Sequence, residues 1–268
     1  MSQDPSMLPT VHFGGALRGM WALVWAQHCT TRAFIRLALG AGALGFLMLL
    51  TINSGNEKGW LEWVVGIYLH FLIPLTCLNV CGSMMRAEVQ ANTLSFLCTR
   101  PQHRHTLYLL QYICHVGWLQ LVFFVGTLAL FALGALKQIE GLGALLPMML
   151  LTQILAIFAW SALAGLLGLV HQRFVVIGIL YWLVVEMGLG MVESSNINQL
   201  SILRHVHTLL AQNNMVMSVM VEGESKWSAA DPLTAGFVLI GATLFFLAAG
   251  AALFTYREYL PSQEAGQQ

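Results

Sequence analysis

Residues 145–170 read LLPMMLLTQILAIFAWSALAGLLGLV and contain no charged side chain. At about 1.5 Å of rise per residue, a helix of this length extends about 39 Å, which exceeds the roughly 30 Å hydrocarbon core of a bilayer. The apolar residues form a continuous run and do not alternate with polar ones, so a transmembrane strand is disfavoured. The stretch therefore predicts a membrane-spanning α-helix.

The composition of the whole chain points the same way. Of its 268 residues, 57% are hydrophobic and 9% are charged, whereas soluble domains are about 25% charged. Stretches long enough to cross a bilayer occur at 33–53, 60–83, 107–133, 145–170, 174–192 and 233–256. We therefore expect one all-α integral membrane domain over residues 1–268, with six transmembrane helices surrounded by membrane lipid. The zero net charge indicates no class of partner, and we expect no nucleic-acid partner.

An amphipathic segment precedes the first predicted span. Its apolar residues recur at helical spacing: Leu17, Met20, Trp21, Val24 and Trp25. This pattern predicts an N-terminal helix lying along the membrane interface, and an extension of the first span is the alternative. No small-residue cleavage site follows the first long apolar run, so we expect no secretory signal to be removed.

The distribution of basic residues predicts the orientation in the membrane. With the N-terminus in the cytoplasm, eight basic side chains lie inside and four outside, the bias expected from the positive-inside rule. The inner ones are Arg18, Arg32, Arg36, Arg86, Arg100, Arg104, Arg173 and Arg257, and the outer ones are Lys58, Lys137, Arg204 and Lys226. We expect a multi-pass protein of the bacterial cytoplasmic membrane with both termini in the cytoplasm.

A polar segment, EVQANTLSFLCTRPQHR at residues 88–104, separates the second and third predicted spans on the basic side. It is too polar to lie in the membrane, yet Leu94, Phe96 and Leu97 interrupt its polar residues. Pro101 is expected to end a helix here. The segment predicts a short amphipathic cytoplasmic helix that docks on a partner; an inner loop whose arginines only enforce topology is the alternative.

The pattern Glu-x4-Thr-Leu-x-x-Leu-x-x-Arg-Pro-x-x-Arg resembles the segment between the second and third spans of ABC-2 type transporter permeases. It is formed by Glu88, Thr93, Leu94, Leu97, Arg100, Pro101 and Arg104. The resemblance implies that these residues form a coupling helix on a separate ATP-hydrolysing subunit, which carries the ATP and Mg. Met84 and Met85 precede the pattern where further acidic residues would otherwise be expected.

The resemblance also implies a function for the chain as a whole. It would be the permease subunit of an ABC exporter, and the second and fifth spans of two copies would face each other. A homodimer is the expectation, and a pair with a paralogue is the alternative. Closure of the ATPase subunits would push on residues 88–104 and tilt the spans around a path near Asn79 and Glu186. The substrate is not indicated.

The chain has no sequence signature of an enzyme. Its only lysines, Lys58, Lys137 and Lys226, do not belong to a Gly-x4-Gly-Lys-Ser/Thr phosphate loop, and neither Gly-x-Ser-x-Gly nor His-Glu-x-x-His occurs. We therefore expect no catalytic residues and no cofactor on this chain, and any ATP hydrolysis would occur on its partner.

Several polar residues lie inside predicted spans, where they are costly and usually functional. Those chosen as candidates for a substrate path are Asn79, His115 and Glu186. Glu186 is expected either to line a conduit or to pair with a base such as His115, and a hydrogen bond from a protonated carboxyl is the alternative. A self-sufficient secondary transporter or channel that uses Glu186 and His115 is the rival function, and a non-transporting membrane anchor is a third.

The segment between the last two predicted spans contains another amphipathic pattern. Its apolar face comprises Leu200, Leu203, Val206, Leu209 and Leu210. This face predicts a short helix that folds back onto the outer leaflet. In the resembled family short outer helices in this position act as an external gate, which implies that role for residues 201–212.

Three groups of residues offer metal-ligand chemistry. Cys77 and Cys81 with Met84 and Met85 could hold a soft cation such as Cu(I), although ordinary packing is the favoured interpretation. The pairs His103-x-His105 and His205-x-His207 lack further ligands at a suitable spacing. We therefore predict no metal site. The cysteines lie in spans or on the cytoplasmic side, so no disulfide is expected.

Overall fold

The computed structural model describes residues 13–30, 45, 57–90, 103–188, 199, 201–217 and 231–256. Within these ranges every regular element is a helix, which confirms the all-α fold class. The predicted first span, 33–53, lies outside the described residues except for position 45.

The helices follow one another in a simple order. They are α1 (Phe13–His28), α2 (Glu57–Glu62), a first π segment (Trp63–Leu72), α3 (Ile73–Gln90), α4 (Arg104–Leu136), α5 (Leu142–Val170), α6 (Phe174–Tyr181), a second π segment (Trp182–Gly188), α7 (Ile202–Leu210) and α8 (Pro232–Tyr256). The elements from α2 to α3 form one continuous helix, and so do α6 and the second π segment.

Four helices are long and apolar enough to cross a membrane. They are Lys58–Arg86, Arg104–Leu136, Leu142–Val170 and Pro232–Tyr256. Each coincides with a stretch predicted to span, so these four stretches are confirmed as helices of sufficient length and apolarity. Within the predicted fifth stretch, 174–192, the structure describes the apolar helix Phe174–Gly188. The total of six spans stays a prediction.

Helix α5 is the centre of the bundle, packed against α3, α4, α7 and α8. It approaches α3 closely where Gly168 faces Gly82. A Cβ placed on Gly168 would overlap the carbonyl oxygen of Gly82 and lie 2.8 Å from its carbonyl carbon. Small residues allow helices in membranes to pack at short range, where dispersion and backbone contacts provide the attraction.

Polar side chains also join the helices inside the bundle. The Tyr68 hydroxyl of the first π segment lies 2.7 Å from the carbonyl oxygen of Phe123 and 2.9 Å from the hydroxyl of Thr127, both on α4. The Thr127 hydroxyl donates to the side-chain oxygen of Gln153 on α5. Because apolar surroundings penalise unpaired polar groups, this network favours one arrangement of the three elements.

Helix α1 packs against α4 through aromatic rings. Trp25 meets Trp118 edge to face at a centroid distance of 5.2 Å, and the ring of His28 stacks on Trp118 at 5.9 Å. The predicted N-terminal helix is therefore confirmed as a helix, while its position at the membrane interface stays a prediction. Its end at His28 is followed by non-helical Cys29 and Thr30, which argues against a continuous extension of the first span.

Candidate functional site

The most developed polar site in the described part of the chain is formed around Glu186, on the second π segment. This side chain is only 4% exposed. Its carboxylate accepts hydrogen bonds from the Ser201 hydroxyl at 2.5 Å and from the backbone N–H groups of Leu203 and Ile202 at 2.9 Å and 3.1 Å. The Tyr181 hydroxyl lies close to this carboxylate. The carboxylate of Glu186 therefore lies at the N-terminus of α7.

The sequence of α7 explains this arrangement. Ser201 is its N-cap, and the Ser201 hydroxyl oxygen accepts from the N–H of Arg204 at 3.1 Å. The first N–H groups of a helix have no partner within it, and the helix dipole favours a negative charge at this end. The carboxylate of Glu186 supplies both the acceptors and the charge, which fixes α7 to the second π segment.

The apolar face of α7 lies on the bundle. Its buried apolar side chains are Ile202, Leu203, Val206 and Leu210, and the helix contacts α5, α8 and the second π segment. A short helix is present in this region, as predicted, and it lies against the other helices. Its predicted fold back onto the outer leaflet stays a prediction. A gating role for it stays a prediction.

A second contact holds α7 near its C-terminal end. The Nε2 atom of His207 meets the Nε2 atom of His70 on the first π segment, and the two ring centroids are 4.1 Å apart. The indole N–H of Trp182 donates to the carbonyl oxygen of His70 at 3.0 Å. Two neutral imidazoles can share one proton across such a contact, whereas two imidazolium rings repel.

This contact makes the docking of α7 sensitive to pH. Burial lowers the pKa of His207 from its ordinary 6.5 to about 4, so undocked α7 takes up the proton before docked α7 does. The contribution of His207 to docking is therefore fully present above pH 6.5 and is lost as the pH falls from 6.5 towards 4, by about 1.4 kcal/mol per pH unit for one proton. Among the described residues, the other titratable groups on α7 or beside its contacts are His70, Tyr181, Glu186, Arg204 and His205.

We expect amides in α7 to exchange hydrogen faster at pH 5 than at pH 7.5 once intrinsic exchange rates have been corrected for. In His207→Gln this pH dependence should decrease, because glutamine does not titrate; burial also lowers the pKa of His205 on the same helix, which leaves a smaller response. The exposed His105 on α4 is the matched control, since His105→Gln should leave the pH dependence intact. An unchanged response in His207→Gln would show that another group controls the docking.

The three predicted path residues have different surroundings among the described residues. Asn79 is exposed on the surface of α3. His115 is buried, its Nδ1 atom lies 2.8 Å from the carbonyl oxygen of Gln111, and its ring meets that of His28 at 5.4 Å. The neighbours of Glu186 belong instead to α6 and α7. The hydrogen bonds of Glu186 and His115 give no support to the expected pairing of these two residues.

The predicted coupling residues fall mostly outside the described part of the chain. Glu88 lies near the end of α3, and Arg104 is the exposed first residue of α4. The remaining five, Thr93, Leu94, Leu97, Arg100 and Pro101, lie outside the described residues. The helices α3 and α4 thus bracket the segment, while the predicted coupling helix itself is not described.

The candidate metal ligands are arranged differently from one another. His103 and His105 are exposed and stacked at 5.3 Å, whereas His205 bonds to the carbonyl of Gln199 and His207 faces His70. Cys77 and Cys81 are buried. Among the described residues no three His, Cys, Asp or Glu side chains converge as a metal site would require.

Neither protein-family models nor curated proteins give a match to this chain. The functional inference therefore rests on its own residues. The Ser201 cap could be predicted from the sequence, because a serine stands directly before an amphipathic run. The contact between His70 and His207 could not be predicted, because 137 positions separate the two residues.

Proposed function

We propose that the chain is the membrane-spanning permease subunit of an ABC-2 type exporter. It would work as a homodimer in the cytoplasmic membrane and couple to a separate ATPase subunit that binds ATP and Mg. The observation that carries the proposal is the pattern from Glu88 to Arg104, which resembles the coupling segment of that family and connects two long apolar helices.

The helix ends on either side of the pattern suit mechanical coupling. Helix α3 continues past its apolar part to Gln90, and α4 begins at Arg104. Both helices pack against α5 as well as against each other. A displacement of residues 91–103 by a partner would therefore act on two helices of the bundle at once, since packed helices move as rigid elements.

The position of Asn79 supports a second copy of the chain. Its amide is exposed on a helix long enough to span the membrane, and a polar group that faces lipid is unfavourable. A partner permease or a water-filled path between two copies would satisfy this amide. That arrangement agrees with a path near Asn79 formed by the second spans of two subunits.

Helix α7 has the properties expected of an external gate. It is short, lies against α5 and α8, and is held by the polar contacts of Glu186 and His207. Polar contacts of this kind can exchange partners during a conformational change, whereas the close packing of α3 on α5 cannot do so without separating the helices. Movement of α7 relative to the rest of the bundle would open and close the path.

The test is to purify the chain from its native membrane in mild detergent and to measure the ATPase that accompanies it. We expect a stoichiometric ATPase with wild type. With Leu94→Asp we expect roughly thirtyfold weaker association, because a buried interface anchor is worth about 2 kcal/mol. Asn92→Asp is the matched control: it adds the same charge on the opposite face of the predicted helix and should leave association unchanged.

Other results would contradict the proposal. Equal association of both variants would remove residues 88–104 from the interface. Ion-driven flux by the purified chain alone in liposomes would favour the secondary transporter that uses Glu186 and His115. A stoichiometric partner without ATPase activity would favour the membrane anchor.

A further inference from the structure

An arginine near the C-terminal end of α3 bonds to the end of α5. The Nε atom of Arg86 donates to the carbonyl oxygen of Gly168 at 2.8 Å. Gly168 lies in the last turn of α5, which ends at Val170, and the last carbonyl groups of a helix have no partner within it. A positive charge is also favoured at this end of the helix dipole. Arg86 therefore caps α5 from the neighbouring helix.

Arg86 lies one turn beyond the close contact between α3 and α5. Gly82 and Gly168 face each other there, and a Cβ on Gly168 would overlap the carbonyl oxygen of Gly82. Residues four apart lie on the same face of a helix, so Arg86 extends the contact of Gly82 towards residues 88–104. The bond from Arg86 therefore limits how far this end of α3 can tilt about the glycine contact.

Helix α3 also lies alongside α6, and the two run in opposite directions. Three contacts join them in order along their length: Gly82 with the ring of Phe174, the side chain of Leu78 with Gly178, and the carbonyl oxygen of His70 with the indole N–H of Trp182. Positions fall along one helix as they rise along the other, which is the order expected of an antiparallel pair. The two helices, each with its π segment, therefore lie side by side over this whole distance.

The far ends of this pair of helices hold α7. Glu186 accepts from the backbone N–H of Leu203 at 2.9 Å, and His70 contacts His207. His70 precedes Arg86 by 16 residues, which is about 24 Å along a helix. Because packed helices move as rigid elements, a tilt of α3 near Arg86 would displace the contacts of α7 at the other end.

We propose that Arg86 is a positioning residue that links residues 88–104 to α7. This inference rests on the proposed function, in which a partner subunit displaces residues 88–104. That displacement acts on the end of α3, and the bond from Arg86 to Gly168 transmits it to the junction of α5 and α6. The antiparallel pair of α3 and α6 then carries it to Glu186 and His70. Arg86 thus controls the stability of α7 from the opposite end of the bundle.

The test is hydrogen exchange in the purified full chain, measured without any ATPase. With Arg86→Gln we expect the amides of Ile202 and Leu203 to exchange at least about threefold faster than in wild type, an effect of the size of one hydrogen bond. Arg86→Lys keeps a positive donor on a more flexible side chain, so it should give a smaller increase. If Arg86 only capped α5, exchange would change around Gly168 and not in α7.

Arg18→Gln is the matched control, because it removes an exposed arginine from α1 and should leave exchange in α7 unchanged. The amides of α1 report general loosening and should not respond to Arg86→Gln. Monodisperse elution should accompany each measurement, and Arg86→Lys carries the test if Arg86→Gln does not fold.

Three results would overturn the proposal: exchange in α7 of the folded Arg86 variants that equals wild type, equal loosening of α1 and α7, or the same response in Arg18→Gln. Absence of a co-purifying ATPase is a different result. It would overturn the proposed function, whereas the exchange rates alone decide whether Arg86 is linked to α7.

Discussion

Gly168→Leu is expected to prevent stable packing of α3 on α5. A Cβ at residue 168 would overlap the carbonyl oxygen of Gly82 and lie 3.0 Å from the Cα of Gly82. These are backbone atoms, which cannot rotate away as a flexible side chain can, so the two helices must separate. Overpacking in a close-packed interior costs about 1–3 kcal/mol or more, and here we expect at least about 3 kcal/mol. Thermal unfolding in detergent, followed by size-exclusion chromatography, measures the loss.

Gly236→Leu is the matched control for this substitution. Gly236 lies in α8, and a Cβ on it would meet no atom within 4 Å. The added side chain would extend into open space on an apolar helix, so stability should stay within about 0.5 kcal/mol of wild type. If both variants unfolded at the same temperature, the contact between Gly82 and Gly168 would not limit the stability of the bundle.

Glu186→Gln is expected to release the first turn of α7. Glutamine offers one acceptor oxygen where the carboxylate accepts from Ser201, Ile202 and Leu203, and it directs an N–H₂ group towards other donors. Leaving a buried donor unpaired costs about 1–3 kcal/mol. A loss of about 2 kcal/mol corresponds to roughly thirtyfold faster hydrogen exchange at the amides of Ile202 and Leu203.

The matched control is Glu140→Gln, which neutralises an exposed carboxylate between α4 and α5. It should leave exchange in α7 unchanged. Equal protection of Ile202 and Leu203 in wild type and Glu186→Gln would show that the carboxylate does not hold the helix. Transport is a separate measurement: full transport by Glu186→Gln would exclude a charge at this position from the mechanism.

Hydropathy was sufficient to predict four helices long and apolar enough to span a membrane, because such a helix requires only a local run of apolar residues. The run at 145–170 corresponds to α5, Leu142–Val170. In the fifth stretch, hydropathy gave no sign that Trp182–Gly188 is π-helical, because such local widening depends on packing and has no distinct hydropathy.

The candidate site was predictable only in part. Hydropathy identified Asn79, His115 and Glu186 as polar residues in apolar runs, but it gives no direction for a side chain. Asn79 faces outward and His115 inward, because neighbouring helices determine which side of a helix is covered. The coupling pattern can be read from local sequence, whereas the surface that would receive it belongs to another chain.

Two sets of contacts, one at Glu186 and one at His70, connect α7 to separate parts of the chain. Glu186 holds its beginning from the helix that follows α5, and His70 holds its far end from the π segment that continues into α3. Trp182 joins these two segments through the carbonyl of His70, so a change in their spacing would have to break that bond and strain the contacts at one or both ends of α7. The position of α7 is therefore expected to depend on the distance between these two segments.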